Sequence, residues 1–188
     1  MMFLHSFLDH SKYKQKLLDS INNMSIDTNT IKAVNKDKIS RTDFFLPKEV
    51  ERPYLKFFNE IINPITEEMC KRLNSSYYEI LYTWFQQYNH GDVHNWHNHT
   101  GSQFANVFFV ELEDNSIGTE FLDPKYNIKV KEGDLITFPS YLYHRSPINL
   151  TQTRKTIISF NSSFSNFKKN ETKDDKEKAY WIKNETKN

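Results

Sequence analysis

The sequence is poor in cysteine, glycine and net charge, and it has no long apolar run. Cys70 is the sole cysteine. It excludes an internal disulfide and a cysteine-based zinc site, and it fits a reducing compartment. Lysine and arginine total 25 against 24 acidic residues, a net charge of +1, so no bulk electrostatic case exists for nucleic acid. No apolar run approaches the ~18 residues of a membrane-spanning helix. The start, Met1-Met2-Phe3-Leu4-His5, lacks the basic and long apolar regions of a secretion signal, so the expected location is the cytoplasm. Only four glycines occur, all from Gly91 to Gly133, where tight turns are expected.

What is abundant is aromatic. Fifteen Phe and ten Tyr among 188 residues predict one domain with an aromatic-rich core. Residues 9–24 read as a helix, with Tyr13, Leu17, Leu18 and Ile21 at helical spacing and Asp9 or Ser11 able to cap it. Residues 25–48 are polar and irregular, with Phe44 and Phe45 placed either under the core or on a substrate-facing flap. Residues 50–74 read as two helices, the second restarting at Asn63-Pro64. Cys70 in the second reads as a small buried side chain.

From Tyr77 the pattern changes to strands. Ile80 to Tyr88 is rich in aromatic and branched residues, and Phe104 to Val110 is a near-continuous apolar run, expected to be buried on both faces. Shorter strands are predicted at Thr119–Leu122, Tyr126–Val130, Leu135–Phe138 and Thr156–Phe160, punctuated by Gly118, Asp123-Pro124, Gly133-Asp134 and Ser146-Pro147. The expected division is a helical N-terminal buttress over 1–76, a β-core over 77–164 and a charged tail over 165–188, in which Tyr180-Trp181-Ile182 could dock as a terminal turn.

Four of the seven histidines lie in the stretch from Tyr88 to His99. His97 and His99 are two apart, which on a strand puts both imidazoles on one face, about 7 Å apart along the chain. His144, after the strand ending Phe138-Pro139, is the only histidine downstream. Together His97, His99 and His144 are the predicted ligands of one metal ion.

The spacing of further residues resembles the 2-oxoglutarate- and Fe(II)-dependent oxygenases, in particular their prolyl-hydroxylase-like members, including those of marine bacteria and phages. Tyr88, Gly91 and His97-Asn98-His99 match a Tyr, a Gly and an HxD motif at the same intervals. The strand at Ala105–Val110, then Gly133-Asp134-Leu135-Ile136-Thr137-Phe138-Pro139, His144 and Arg154-Lys155-Thr156 continue the likeness to Asn161. The resemblance implies a double-stranded β-helix (a jelly roll, cupin-like and mainly β with flanking helices). It implies Fe(II), 2-oxoglutarate and O₂ as cosubstrate, coupling decarboxylation to succinate with oxidation of a C–H bond, a hydroxylation being the expected case. It assigns Arg154 and Thr156 to the distal carboxylate of 2-oxoglutarate, with Tyr88 and His94 also at the cosubstrate, and no catalytic residue beyond the metal ligands. A planar, permanently charged guanidinium suits a buried carboxylate. The substrate implied is a small molecule or peptide, with Trp96, Phe104 and Tyr143 as candidate contacts. A phage-encoded member would work in the host cytoplasm.

The departure is at His99, where the family usually has a carboxylate. His90-Gly91-Asp92 also spells HxD and leaves Asp92 as an alternative carboxylate ligand. The histidines also resemble the metal cupins, in which Gly91 to His99 and Gly133, Pro139 and His144 match the two motifs and three histidines often hold the metal. Arg154-Lys155-Thr156 is not part of that pattern. A zinc hydrolase with Glu111 or Glu120 as general base is a third chemistry open to three histidines.

Overall fold

The computed structural model describes residues 2–27, 37–113, 117–123 and 127–167. Most of the charged tail, including Tyr180-Trp181-Ile182, lies outside them. Ten strands and two long helices are described: β1 (Phe3–Ser6), α1 (His10–Asn22), β2 (Arg41–Thr42), α2 (Tyr54–Arg72), β3 (Ser75–Tyr88), β4 (His94–His97), β5 (Phe104–Glu111), β6 (Ile117–Phe121), β7 (Asn127–Lys129), β8 (Asp134–Pro139), β9 (His144–Ser146) and β10 (Lys155–Phe167). A six-stranded antiparallel sheet runs β1-β8-β5-β10-β3-β2, and a four-stranded one runs β4-β9-β6-β7. The two sheets face each other as a double-stranded β-helix, and the helices cover the outer face of the larger one. No helix among the described residues is long and apolar enough to cross a membrane.

Strand alternation divides the apolar residues into two cores. On the helix side, Phe85, Phe108, Ile158 and Phe160 of the large sheet pack against Leu17, Leu18 and Ile21 of α1 and Tyr54, Phe58, Ile61 and Ile62 of α2. Phe58 anchors this layer, with ring centroids 5.8 Å from Phe108 and 5.7 Å from Phe160. Between the sheets, Tyr88, Ala105, Val107, Phe109 and Ile157 meet Phe121, Ile136 and Phe138. β5 contributes to both layers, which is why its apolar run is continuous.

The structure corrects three expectations. Residues 50–74 form one helix rather than two, running through Pro64. A proline within a helix removes one backbone bond, but Pro64 is on the exposed side, while Ile61 and Ile62 before it and Met69 after it are all buried on one stripe. The N-terminal segment is also more than a helical buttress, since β1 and β2 supply both edges of the large sheet. Gly118 makes no turn. It sits inside β6, where a Cβ would come within 2.3 Å of Val130 and 2.7 Å of the Phe109 ring. Asp9 does occupy the cap position of α1, without a side-chain capping bond.

Candidate metal centre and its pocket

The histidines converge from short elements at one end of the barrel. His97 ends β4 and pairs across the sheet with His144, the first residue of β9. His99 follows β4 and is fixed by its N–H donating to the Ser140 carbonyl (2.9 Å). The ligating nitrogens available on His97, His99 and His144 lie within 4.8 Å of one another. Two of the rings are oriented by the backbone. His97 Nδ1 donates to Asn95 O (2.7 Å) and His144 Nδ1 to Leu142 O (2.9 Å), which leaves each Nε2 lone pair for a metal. His99 stacks between the planes of Trp84 (5.7 Å) and His144 (5.2 Å).

Burial pushes the His144 imidazole down to about 2 and that of His99 to about 4, with repulsion from His97 adding to both. His97 is lowered for the same first reason. All three are therefore neutral near pH 7, the state a metal requires of its imidazole ligands.

His94 stacks on His97, with centroids 3.9 Å apart. Its ring nitrogens are taken by Gln86 Nε2 (3.3 Å) and the Asp37 carboxylate (3.3 Å). It buttresses the cluster rather than joining it. Asp92 is not in the cluster either. Its Oδ2 accepts from the Asn89 N–H (2.8 Å) and from the Ser40 hydroxyl, closing the turn after β3. Glu120 pairs with Arg145 (2.6 Å).

Arg154 and Thr156 are not brought to this pocket. The register of β10 against β3 (Lys155↔Tyr88, Thr156↔Gln87, Ile157↔Gln86, Ser159↔Trp84, Asn161↔Tyr82) puts odd-numbered residues of β10 on the inner face as far as Asn161. Thr156 shares the outer face with Ile158 and Phe160, so its hydroxyl bonds Glu111 (2.8 Å). Arg154 bonds the same carboxylate (2.9 Å) and Asn22 of α1 (3.3 Å). The physical reason is parity: the large apolar side chains at 158 and 160 are claimed by the helices, and position 156 follows them.

The inward-facing cation is Lys155, which sequence reasoning passed over. It is 5% exposed. Its Nζ donates to the Gly118 carbonyl and to Ser146 Oγ (2.9 Å), and it lies over the Tyr88 ring, 5.4 Å from the centroid. No carboxylate pairs with it among the described residues, and burial pushes it down to about 7 against the pull of Glu120. Beside it, the fully buried Tyr88 hydroxyl approaches Ser146 but makes no hydrogen bond of good geometry. A narrow recess lined by Tyr88, Val107, Thr119, Ser146 and Ile157 adjoins the histidines, while Lys155 itself lines a separate cavity with Leu112, Glu120 and Asn149.

On the other side of the histidines a cavity of about 390 Å³ opens to the surface, lined by Phe44, Phe45, Tyr82, Trp84, Asn98 and Asn161 among others. Phe44 and Phe45 thus lie on the flap of the two placements foreseen for them. Trp96 instead lies under Arg145, and Phe104 packs on Phe3 and Phe164.

No family model and no curated protein matches the sequence. Solved structures do. A 2OG-Fe(II) oxygenase family oxidoreductase from Burkholderia pseudomallei superposes with a TM-score of 0.63 at 9% identity, covering 86% of this chain and 84% of that one. The viral collagen prolyl hydroxylase of Paramecium Bursaria Chlorella virus-1, in its 2OG complex, gives 0.55 at 14% identity, over 86% and 94%. A Trichoplax adhaerens prolyl hydroxylase, bound to a hypoxia-inducible-factor peptide fragment, gives 0.57 at 12% identity, over 85% and 82%. The fold is that of the 2OG-Fe(II) oxygenases. Within that fold, His97, His99 and His144 converge where β4 and β9 pair, and Lys155 is tied to Ser146 of β9.

Proposed function

We propose that this protein is a 2-oxoglutarate- and Fe(II)-dependent oxygenase, a hydroxylase of a small-molecule or peptide substrate, working in the cytoplasm. The observation that carries the reading is Lys155, a buried cation without an anion. Burying an unpaired charge costs several kcal/mol, and a ligand carboxylate would offset that cost. The partnerless Tyr88 hydroxyl points to the same ligand, because it can donate to a carboxylate oxygen. A metal cupin that does without 2-oxoglutarate has no use for either group, so the oxygenase reading is preferred.

The residues fit the two groups. His97, His99 and His144 would hold Fe(II) through three neutral imidazoles, leaving further positions for cosubstrates. Bound there, Fe(II) and 2-oxoglutarate supply O₂ activation and oxidation of a C–H bond, with succinate and CO₂ as coproducts. The protein's part is placement. Lys155 neutralises the distal carboxylate and Tyr88 orients it. His94, held between Gln86 and Asp37, fixes the His97 ring from behind, and the apolar Val107 and Ile157 walls keep water from the recess. The site has three neutral ligands where a carboxylate is usual, so the iron keeps its full double charge.

The test is anaerobic titration of 2-oxoglutarate into the Fe(II)-loaded protein, followed by the visible charge-transfer band of its chelation, and then succinate formation in air. The wild type should show both, and His144→Ala should lose stoichiometric iron and both signals. A wild type that binds iron but no 2-oxoglutarate would leave the cupin reading in its place.

A further inference from the structure

Trp84 and Gln86 carry side-chain polar atoms that the fold leaves unused. Both lie on the inner row of β3, opposite Ser159 and Ile157, about 7 Å apart along the strand. They are 4% and 5% exposed. Each lines both the outer cavity and the recess, so the little surface they keep opens on one side of the histidines or the other. Gln86 is oriented by a chain of donors and acceptors. A carboxylate only accepts, so Asp37, at 3.3 Å, fixes the His94 hydrogen on Nε2. The Nδ1 of that neutral ring is then an acceptor. It takes the Gln86 amide nitrogen at 3.3 Å, which turns Oε1 away from the ring. Gln86 Oε1 accepts nothing from the described residues, and the Trp84 indole N–H donates to none of them. Neither is sealed in the interior, as the unpaired Tyr88 hydroxyl and Asn161 Oδ1 are. Both reach open space.

The pair is also fixed in advance. β10 holds one edge of the strand. On the other edge the Phe85 N–H, between the two residues, donates to Asp43 Oδ1 (2.7 Å), and the Phe85 carbonyl accepts from the Thr42 hydroxyl (2.7 Å). The Trp84 ring is stacked between Tyr82 (5.5 Å) and His99 (5.7 Å) and is met edge-on by Phe44 (5.2 Å). Pre-organisation of this kind reduces the entropy lost on binding.

We infer that Trp84 and Gln86 recognise an amide of the substrate, whose carbonyl accepts from the indole N–H and whose N–H donates to Gln86 Oε1. The inference rests on the oxygenase reading for its meaning as a substrate site, and it narrows the substrate to carboxamides, peptide bonds included. A carboxylate would satisfy the indole but set its lone pairs against Oε1. An ester would leave Oε1 unmet. The other polar groups of the outer cavity do not make this choice. The Thr42 hydroxyl is spent on Phe85, and Asn98 and Thr100 are exposed, so water serves them with or without a ligand.

Three probes of similar shape separate these features: phenylacetamide, methyl phenylacetate (no N–H) and phenylacetate (anionic). They are titrated into the ¹⁵N-labelled full chain, metal-free, so that phenylacetate is not drawn by iron. The chain has three tryptophans, and Trp84→Phe identifies the Trp84 indole signal by its loss. Phenylacetamide should move that signal downfield and bind about five- to tenfold tighter than either other probe, the effect of one satisfied buried acceptor. Gln86→Met should erase the preference for amide over ester while the indole shift persists. Trp84→Phe, followed by ligand-observed NMR, should weaken amide and ester together and keep the preference. Equal binding of amide and ester, a preference that survives in Gln86→Met, tightest binding of phenylacetate, an indole signal unmoved by the amide, or no binding of any probe would each overturn the inference. If the probes discriminate as expected but 2-oxoglutarate does not bind the iron-loaded protein, the oxygenase reading fails and the amide site stands.

Discussion

The two faces of the six-stranded sheet treat the same residue type in opposite ways. Arg154 and Lys155 are adjacent cations. Arg154, on the helix side, is paired with Glu111 and tied to Asn22. Lys155, on the barrel side, has only neutral acceptors. Asp43, wholly buried on the helix side, is met by Arg52, Tyr54 and the Phe85 amide. Unpartnered buried polar atoms occur on both sides, His10 Nδ1 of α1 as well as the Tyr88 hydroxyl and Asn161 Oδ1 on the barrel side, so the contrast lies in the buried charges. The buried charge on the helix side is met by charged and hydrogen-bonding partners, whereas the proposed ligand-binding cation on the barrel side is met only by neutral oxygens.

The contrast is broken most directly at Lys155. Lys155→Met should lower 2-oxoglutarate affinity by about 2–5 kcal/mol, roughly 30- to 5,000-fold, with iron still bound. Thermal unfolding without ligand should be unchanged or shifted upward, since the exchange removes an unpaired buried charge. A lowered midpoint together with undiminished 2-oxoglutarate affinity would make Lys155 scaffold after all.

A pH series tests the same group without a mutation. The ligand-free Lys155 ammonium is held at about 7 by burial, and a bound carboxylate raises it. Below pH 7 the group is already charged, so its contribution to affinity is level. Above pH 7 each binding event must take up a proton, and affinity should fall by about tenfold per unit until the pKa of the complex is reached. Calorimetry at pH 8 in buffers of different ionisation enthalpy reads that uptake directly, and none should be seen in Lys155→Met.

The smallest effect belongs to the outer face. Arg154→Ala should change 2-oxoglutarate affinity by less than about twofold and lower unfolding stability by at most about 1 kcal/mol, because the ion pair is partly solvated. Denaturant titration beside the binding assay distinguishes the two, and a large loss of 2-oxoglutarate binding would restore Arg154 to the site.

How much could be read in advance followed from length and periodicity. β3, β5 and β10 were legible because long apolar strands leave a pattern, and the HxH pair with His144 was legible because few residue types bind metal. β4 and β9, which carry His97 and His144, are four and three residues long, too short to show any period. The face of β10 was the costlier omission. Alternation groups Arg154 with Thr156 correctly, but only the packing of Ile158 and Phe160 against α2 decides which side that group occupies. Tyr82, Trp84 and Asn161 were hidden for a related reason. They sit inside long strands, and the cavity they line exists only when Phe44 is folded over them.

The place of β10 in the sheet has a consequence for how the protein is made. Of the described strands it is the last to leave the ribosome, yet it is central, with β5 on one side and β3 on the other. Until it emerges, β3 and β5 each lack one neighbour, and β5, apolar on both faces, is the kind of bare edge that recruits other chains. At about 5–20 residues per second, that exposure lasts seconds. The nascent chain therefore spends its synthesis as an open edge in need of shielding, and a transcript cut short before Lys155 would yield a product that stays one.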